Sequence, residues 1–267
     1  CKRTDDHETL WDFHIGPTFC EPVLDGNHIF TANADGMVFC LRAEGASGAD
    51  HFGFSDDRRV VWQFNAGAGV NQMMTITNDH AIFGSWDHYV YALHTETGKL
   101  MWQFHTGGSP DSGAPIAYED KVYVPVGGNR LYCLDRTTGT IRWTHHMTDG
   151  DMNASPALAH GKLYISMGVR PGAVPIASRI QCLDAETGAG IWEHTGGGIT
   201  GPSVGGGRVF FGSTSAPYFY CVDAHGDGTT ICHWQTHMSE RVYESVPAIY
   251  GDMAHILNEN GYLFAFD

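Results

Sequence analysis

The 267-residue chain is 42% apolar, and its 15 basic against 30 acidic side chains leave a formal net charge of −15. With four lysines and no basic run, nucleic acid and anionic membrane surfaces are excluded as expected partners. No apolar stretch could span a bilayer as a helix and no secretory leader is present, so an exported form would already have lost its leader.

Read from the amino end, Thr9-Leu10-Trp11-Asp12-Phe13 has the character of an outer strand with no partner strand before it. The turn Asp25-Gly26 leads into His28-Ile29-Phe30, then the apolar run Val38-Phe39-Cys40-Leu41, an insertion over 43–57, and a strand carrying Trp62. The order then repeats. Val90-Tyr91-Ala92-Leu93, the turn Thr95-Glu96-Thr97-Gly98 and Trp102 follow; next come Ala114-Pro115-Ile116-Ala117, Lys121-Val122-Tyr123-Val124, Leu131-Tyr132-Cys133-Leu134 and Trp143. Ser155-Pro156-Ala157-Leu158, Lys162-Leu163-Tyr164-Ile165, Ile180-Gln181-Cys182-Leu183 and Trp192 form another round. Arg208-Val209-Phe210-Phe211, Phe219-Tyr220-Cys221-Val222 and Trp234 form the next. Val246-Pro247-Ala248-Ile249 and Leu263-Phe264-Ala265-Phe266 end the series without a further tryptophan.

Six tryptophans (Trp11, Trp62, Trp102, Trp143, Trp192, Trp234) therefore recur at intervals of 51, 40, 41, 49 and 42 residues. A period of about 40–50 residues built from short strands marks a β-propeller. We name the four strands of a unit A to D, D carrying the tryptophan. Strand C is apolar on both faces, as expected of a strand buried between stacked sheets. The expected fold is all-β: a single domain over 1–267, a six-bladed propeller of four-stranded antiparallel blades. The last blade, 235–267, would be completed by strand 9–13, which closes the ring and hides its edges.

The pattern VYVGS-DG-LYALD-TG-W, matched best at 82–102 and 121–143, resembles the PQQ-repeat family, also called quinoprotein-like or tryptophan-docking propellers, over nearly the whole chain. The resemblance implies a propeller whose relatives include quinone-dependent alcohol dehydrogenases, an outer-membrane assembly lipoprotein and receptor sensor domains. It also favours a periplasmic, extracellular or cell-envelope location. Relatives often have seven or eight blades, so six is a departure.

The cysteines are read as small buried hydrophobes: Cys40, Cys133, Cys182 and Cys221 share a column with Ala92 and Ala265. Unpaired thiols would also suit the cytoplasm. Cys1 is a candidate for an N-terminal lipid, as in the assembly lipoprotein, and a domain boundary accounts for it equally.

Binding is expected where the longer D–A and B–C connections gather, since loops on a rigid scaffold carry function. The largest insertion among these connections is the 168–178 B–C loop, which its two prolines make stiff. The candidate ligand-binding residues are Asn71, Trp86, Asp87, His88, Asp111, Asn153, Arg170, Thr200, Arg241, Tyr243, Glu244 and Glu259. Carboxylates, amides and arginine around a funnel suit a small polar ligand or a protein partner. His14, His105, His146 and His237 recur three positions after a tryptophan. With nearby methionines they are a candidate copper or zinc set, although the repeat spreads them around a ring.

Motifs for catalysis are otherwise missing: there is no HExxH, nucleophile elbow or CxxC. Quinone chemistry needs an aromatic floor, a cation and a carboxylate base. Trp86, Arg170 or Arg241, and Asp87 or Glu244 could supply the protein part, with PQQ and calcium as cofactors. The vicinal cysteines of the larger family enzymes are absent. The leading expectation is a non-catalytic binding or scaffold propeller, with a quinone-dependent dehydrogenase and a metal-binding propeller as alternatives.

Overall fold

In the computed structural model the chain divides into two compact units, residues 1–105 and 106–267. The structure describes residues 11–43, 59–110, 113–127, 129–147, 151–152, 154–168, 179–195, 201–212, 218–225, 234–237, 246–251, 253–258 and 260–266. The 43–57 and 168–178 insertions lie almost wholly outside these residues.

The first unit contains two antiparallel meanders. Sheet 1 runs β1 (Val23–Asp25), β2 (His28–Ala32), β3 (Met37–Arg42) and β4 (Val60–Asn65). Sheet 2 runs β5 (Thr75–Ile76), β6 (His80–Gly84), β7 (Tyr89–His94) and β8 (Leu100–His105). Between them Phe30, Val38, Cys40 and Trp62 meet Ala81, Phe83, Tyr91 and Leu93 in one apolar cluster.

The second unit holds four sheets. Sheet 3 comprises β9 (Ile116–Tyr118), β10 (Lys121–Val126), β11 (Arg130–Asp135) and β12 (Ile141–His146). Sheet 4 comprises β14 (Ala157–Ala159), β15 (Lys162–Gly168), β16 (Arg179–Asp184) and β17 (Gly190–Thr195). A short additional strand, β13 (Asp151–Met152), pairs with the far end of β15. Sheet 5 comprises β18 (Ser203–Gly205), β19 (Arg208–Gly212), β20 (Tyr218–Asp223) and β21 (Trp234–His237). Sheet 6 has β22 (Ala248–Tyr250), β23 (Met253–Leu257) and β24 (Leu263–Phe266), with no fourth strand among the described residues.

The registers explain the small-residue column. Trp62, Trp102, Trp143, Trp192 and Trp234 lie directly opposite Cys40, Ala92, Cys133, Cys182 and Cys221. Residues facing each other across an antiparallel pair share a sheet face. A larger side chain there would push the indole aside. On the other flank Phe30, Tyr123 and Tyr164 oppose the same cysteines. Each aromatic then leans over its cysteine towards the tryptophan, with ring centroids 5.8–5.9 Å apart. In sheets 1 to 4 a register shift immediately follows the small residue. Such a bulge turns the D strand and sharpens its twist.

Two local expectations change. The A strands begin after Pro115, Pro156 and Pro247 rather than before them, at Ile116, Ala157 and Ala248, because proline has no N–H for a ladder. Strand C of sheet 6 is buried on one face only. Phe264 and Phe266 pack towards Phe219, whereas Leu263 is 65% exposed although its counterparts Val38, Val90 and Leu131 are 0% exposed.

Thr9 and Leu10 lie outside the described residues, and Trp11-Asp12-Phe13 is in no ladder there. The segment nevertheless contacts sheet 1 as a D strand contacts the sheet that follows it. The Trp11 indole donates to the Ala43 carbonyl at 3.1 Å, as Trp62 does to Thr95 at 2.7 Å. Phe13 sits 5.9 Å from Phe39, as Phe64 sits 5.5 Å from Tyr91. The Ala34 N–H donates to the Pro17 carbonyl, as Trp86 does to Gly69 and Gly127 to Ser109.

Candidate binding end of the sheets

The B–C turns are the best-defined part of the expected binding end. In sheet 1 Asn33 Oδ1 accepts the N–H groups of Asp35 and Met37, and in sheet 6 Asn258 Oδ1 accepts those of Asn260 and Tyr262. Asparagine suits this role because its side chain mimics a backbone turn. Sheet 2 divides the task between two residues. Ser85 Oγ accepts the Asp87 N–H at 3.4 Å, and Asp87 Oδ1 accepts the Tyr89 N–H at 3.0 Å. The serine hydroxyl is thereby left to donate to the Ala68 carbonyl at 2.9 Å.

This arrangement clamps the connection from β4 to β5. The Trp86 N–H donates to the Gly69 carbonyl, while on the other side the Ala66 and Val70 N–H groups reach carbonyls of the sheet 1 turn. A methyl added at Gly69 would lie 2.8 Å from the Ala34 carbonyl oxygen and 3.4 Å from the Trp86 ring. Glycine is needed there because two backbones and an indole converge on one Cα.

Trp86, Asp87, His88 and Asn71 fall in this neighbourhood, as expected from sequence. Trp86 is 47% exposed on its clamped backbone, and Met73 nearby in the chain is 43% exposed. His88 is exposed at φ 71°, the left-handed position that Gly36, Asn129 and Gly261 hold in other sheets. Asn71 is half-buried, and its Oδ1 is buried with no partner among the described residues. Asp87 differs from expectation in chemistry. Its Oδ2 accepts the Tyr91 hydroxyl at 2.5 Å and its Oδ1 is held by Tyr89. Burial, then the Asp87 hydrogen bond, pushes the Tyr91 hydroxyl well above the ordinary phenol range. With both oxygens engaged in shaping the turn, Asp87 is poorly placed as a general base.

Asp111, Asn153, Arg170, Thr200, Arg241, Tyr243, Glu244 and Glu259 lie outside the described residues. Of the histidines, His14, His105 and His146 are exposed. His105 faces Tyr89, its ring 4.9 Å away, and His146 faces Arg130, each within its own sheet. The side chain of His237 is not among those described. No three His, Cys, Asp or Glu side chains converge as a metal site among the described residues. Of the residues expected to serve a quinone, Trp86 offers an aromatic face and Asp87 is committed to the turn, whereas Arg170, Arg241 and Glu244 lie outside the described residues.

No helix among the described residues is long and apolar enough to cross a membrane. Sequence reasoning missed the role of Ser85 and Gly69; the Ser-x-Asp spacing of the turn was the available signal.

A family model described as outer membrane protein assembly factor BamB matches residues 3–224 and 176–267. The chain belongs to this family of PQQ-repeat propellers. No curated protein matches the chain. Among solved structures, the computationally designed Ika8 protein is 11% identical with a TM-score of 0.71, over 92% of this chain and 69% of that one. BamB from Moraxella catarrhalis is 15% identical with a TM-score of 0.54, over 92% of this chain and 82% of its own. The quinohemoprotein alcohol dehydrogenase ADHIIG from Pseudomonas putida HK5 is 13% identical with a TM-score of 0.68, over 92% of this chain but 52% of its own. At these identities the likeness shows the fold, a β-propeller, here with six sheets among the described residues, and not the activity.

Proposed function

We propose that this chain is a non-catalytic binding propeller of the cell envelope, which captures a protein partner where the B–C turns and D–A connections meet. The observation that carries the reading is Trp86, a large aromatic standing half-exposed with its backbone N–H held by the Gly69 carbonyl of the clamped β4–β5 connection. Interfaces enrich Trp and Met, and pre-ordered anchors lose little entropy on binding. Membership in a family described by an outer membrane protein assembly factor favours an envelope location and a protein rather than a small polar ligand.

The alternative, a quinone-dependent oxidoreductase, draws on the alcohol dehydrogenase likeness, whose chain is about twice the length matched. The engagement of Asp87 argues against it. Adding PQQ with calcium should leave the melting temperature unchanged and give no dye-linked alcohol oxidation. A saturable rise in melting temperature with turnover would replace the binding reading by the enzymatic one.

A further inference from the structure

We infer that His160 and His225 form a two-imidazole site for a divalent transition metal, zinc or copper, at the A–B/C–D turn end of sheets 4 and 5. This end is opposite to the proposed protein-binding end. His160 lies in the turn between β14 and β15, and His225 follows β20. Their ring centroids are 4.7 Å apart with the planes at 44°. Two imidazoles that each reach one ion at about 2.0–2.1 Å place their centroids about 4.5–5.5 Å apart. Among the described residues neither ring has a hydrogen-bond partner, and both residues are exposed, so water and an ion can reach the pair.

The junction beneath is already fixed. The Ala224 carbonyl accepts both the Lys162 ammonium at 3.0 Å and the Tyr164 hydroxyl at 2.9 Å. The His225 N–H donates to Asp223 Oδ1 at 2.7 Å. His160 has φ 53°, a left-handed conformation that Gly26, Gly206 and Gly251 adopt at the same turn position and that Glu119 also takes. A non-glycine residue there costs backbone energy, and here the side chain so placed meets the second imidazole. The His225 ring also lies over Gly207, where an added methyl would come 3.5 Å from its Cδ2. Neutral imidazole suits zinc and copper, and the net charge of −15 raises the local concentration of cations.

The test is titration of the chelator-treated chain with Zn²⁺ and with Cu²⁺, comparing wild type with His160→Asn, His225→Asn and the control His105→Asn. Asparagine tolerates a left-handed backbone, so His160→Asn keeps the turn. The tightest equivalent should weaken at least about tenfold in either site variant and be retained in the control. The metal-dependent rise in melting temperature should disappear with it. Electron paramagnetic resonance of wild-type protein with one equivalent of Cu²⁺ should report two coordinated imidazoles, whatever the variants do. Unchanged affinity in both site variants, or a spectrum with one imidazole or none, would overturn the site.

Discussion

The indole nitrogen of Trp62 donates to the Thr95 carbonyl at 2.7 Å, tying sheet 1 to sheet 2 through one buried bond. In sheets 3 and 4 the equivalent carbonyls, Ala185 and Ala224, are taken instead by the hydroxyls of Tyr123 and Tyr164. The indole nitrogens of Trp143 and Trp192 are left buried without a partner among the described residues. The choice follows from one position: sheet 1 carries Phe30, which has no hydroxyl to compete.

Trp62→Phe should therefore cost about 1 kcal/mol more than Trp143→Phe, the worth of one buried hydrogen bond plus the unpaired carbonyl it leaves. Tyr123→Phe should be mild if, by analogy with Trp62 and Thr95, the Trp143 N–H takes over the carbonyl that the tyrosine releases. Urea unfolding of the three variants measures these differences.

Gly98 and Gly188 each combine a left-handed backbone, φ 67° and 72°, with an indole pressed onto the Cα. An added methyl would lie 2.6 Å from Trp62 or Trp143. Gly98→Ala and Gly188→Ala should each lose about 2–4 kcal/mol, read by thermal or urea unfolding. An equivalent change at Gly161, which has open space around it, should cost only the backbone part.

Arg142 holds Asp135 and Asp120 at 2.6 Å each. The Arg142 guanidinium, aided by the Thr137 and Thr138 N–H groups, lowers the Asp135 carboxyl to about 2. A carboxyl lowered on folding contributes stability above its unfolded value and loses that contribution as pH falls towards about 2. Arg142→Gln should raise the Asp135 titration midpoint, observed by carboxyl NMR, and flatten this part of the acid dependence.

Cys20 is pushed up to about 11, and Cys40, Cys133 and Cys182 to about 12, by burial in each case. These thiols should resist alkylation in the folded protein and react together on unfolding. Fast modification of Cys40, Cys133 or Cys182 without loss of structure would contradict the packing described for the small-residue column.

The repeat was legible because it rests on packing that every sheet must solve. An indole needs a small residue opposite and a glycine beneath, and both leave their mark at fixed spacing. The two-residue error at the A strands came from reading apolar pattern through a proline. Trp86 stood out as a candidate because an aromatic in a B–C turn is conspicuous in sequence. The engagement of Asp87 by Tyr91 was not, since a carboxylate reads the same whether it shapes a turn or serves a substrate. The pairing of His160 with His225 was also hidden, because it joins residues of two sheets 65 positions apart.

The binding reading is tested most directly by replacing Trp86 with a photo-crosslinking residue, with Leu100 at the opposite end of sheet 2 as control, in cells of the native host. The account predicts a single discrete adduct from position 86, identifiable by mass spectrometry, lost on Met73→Ala and absent from position 100. Adducts from position 100 alone, or none from 86, would contradict it.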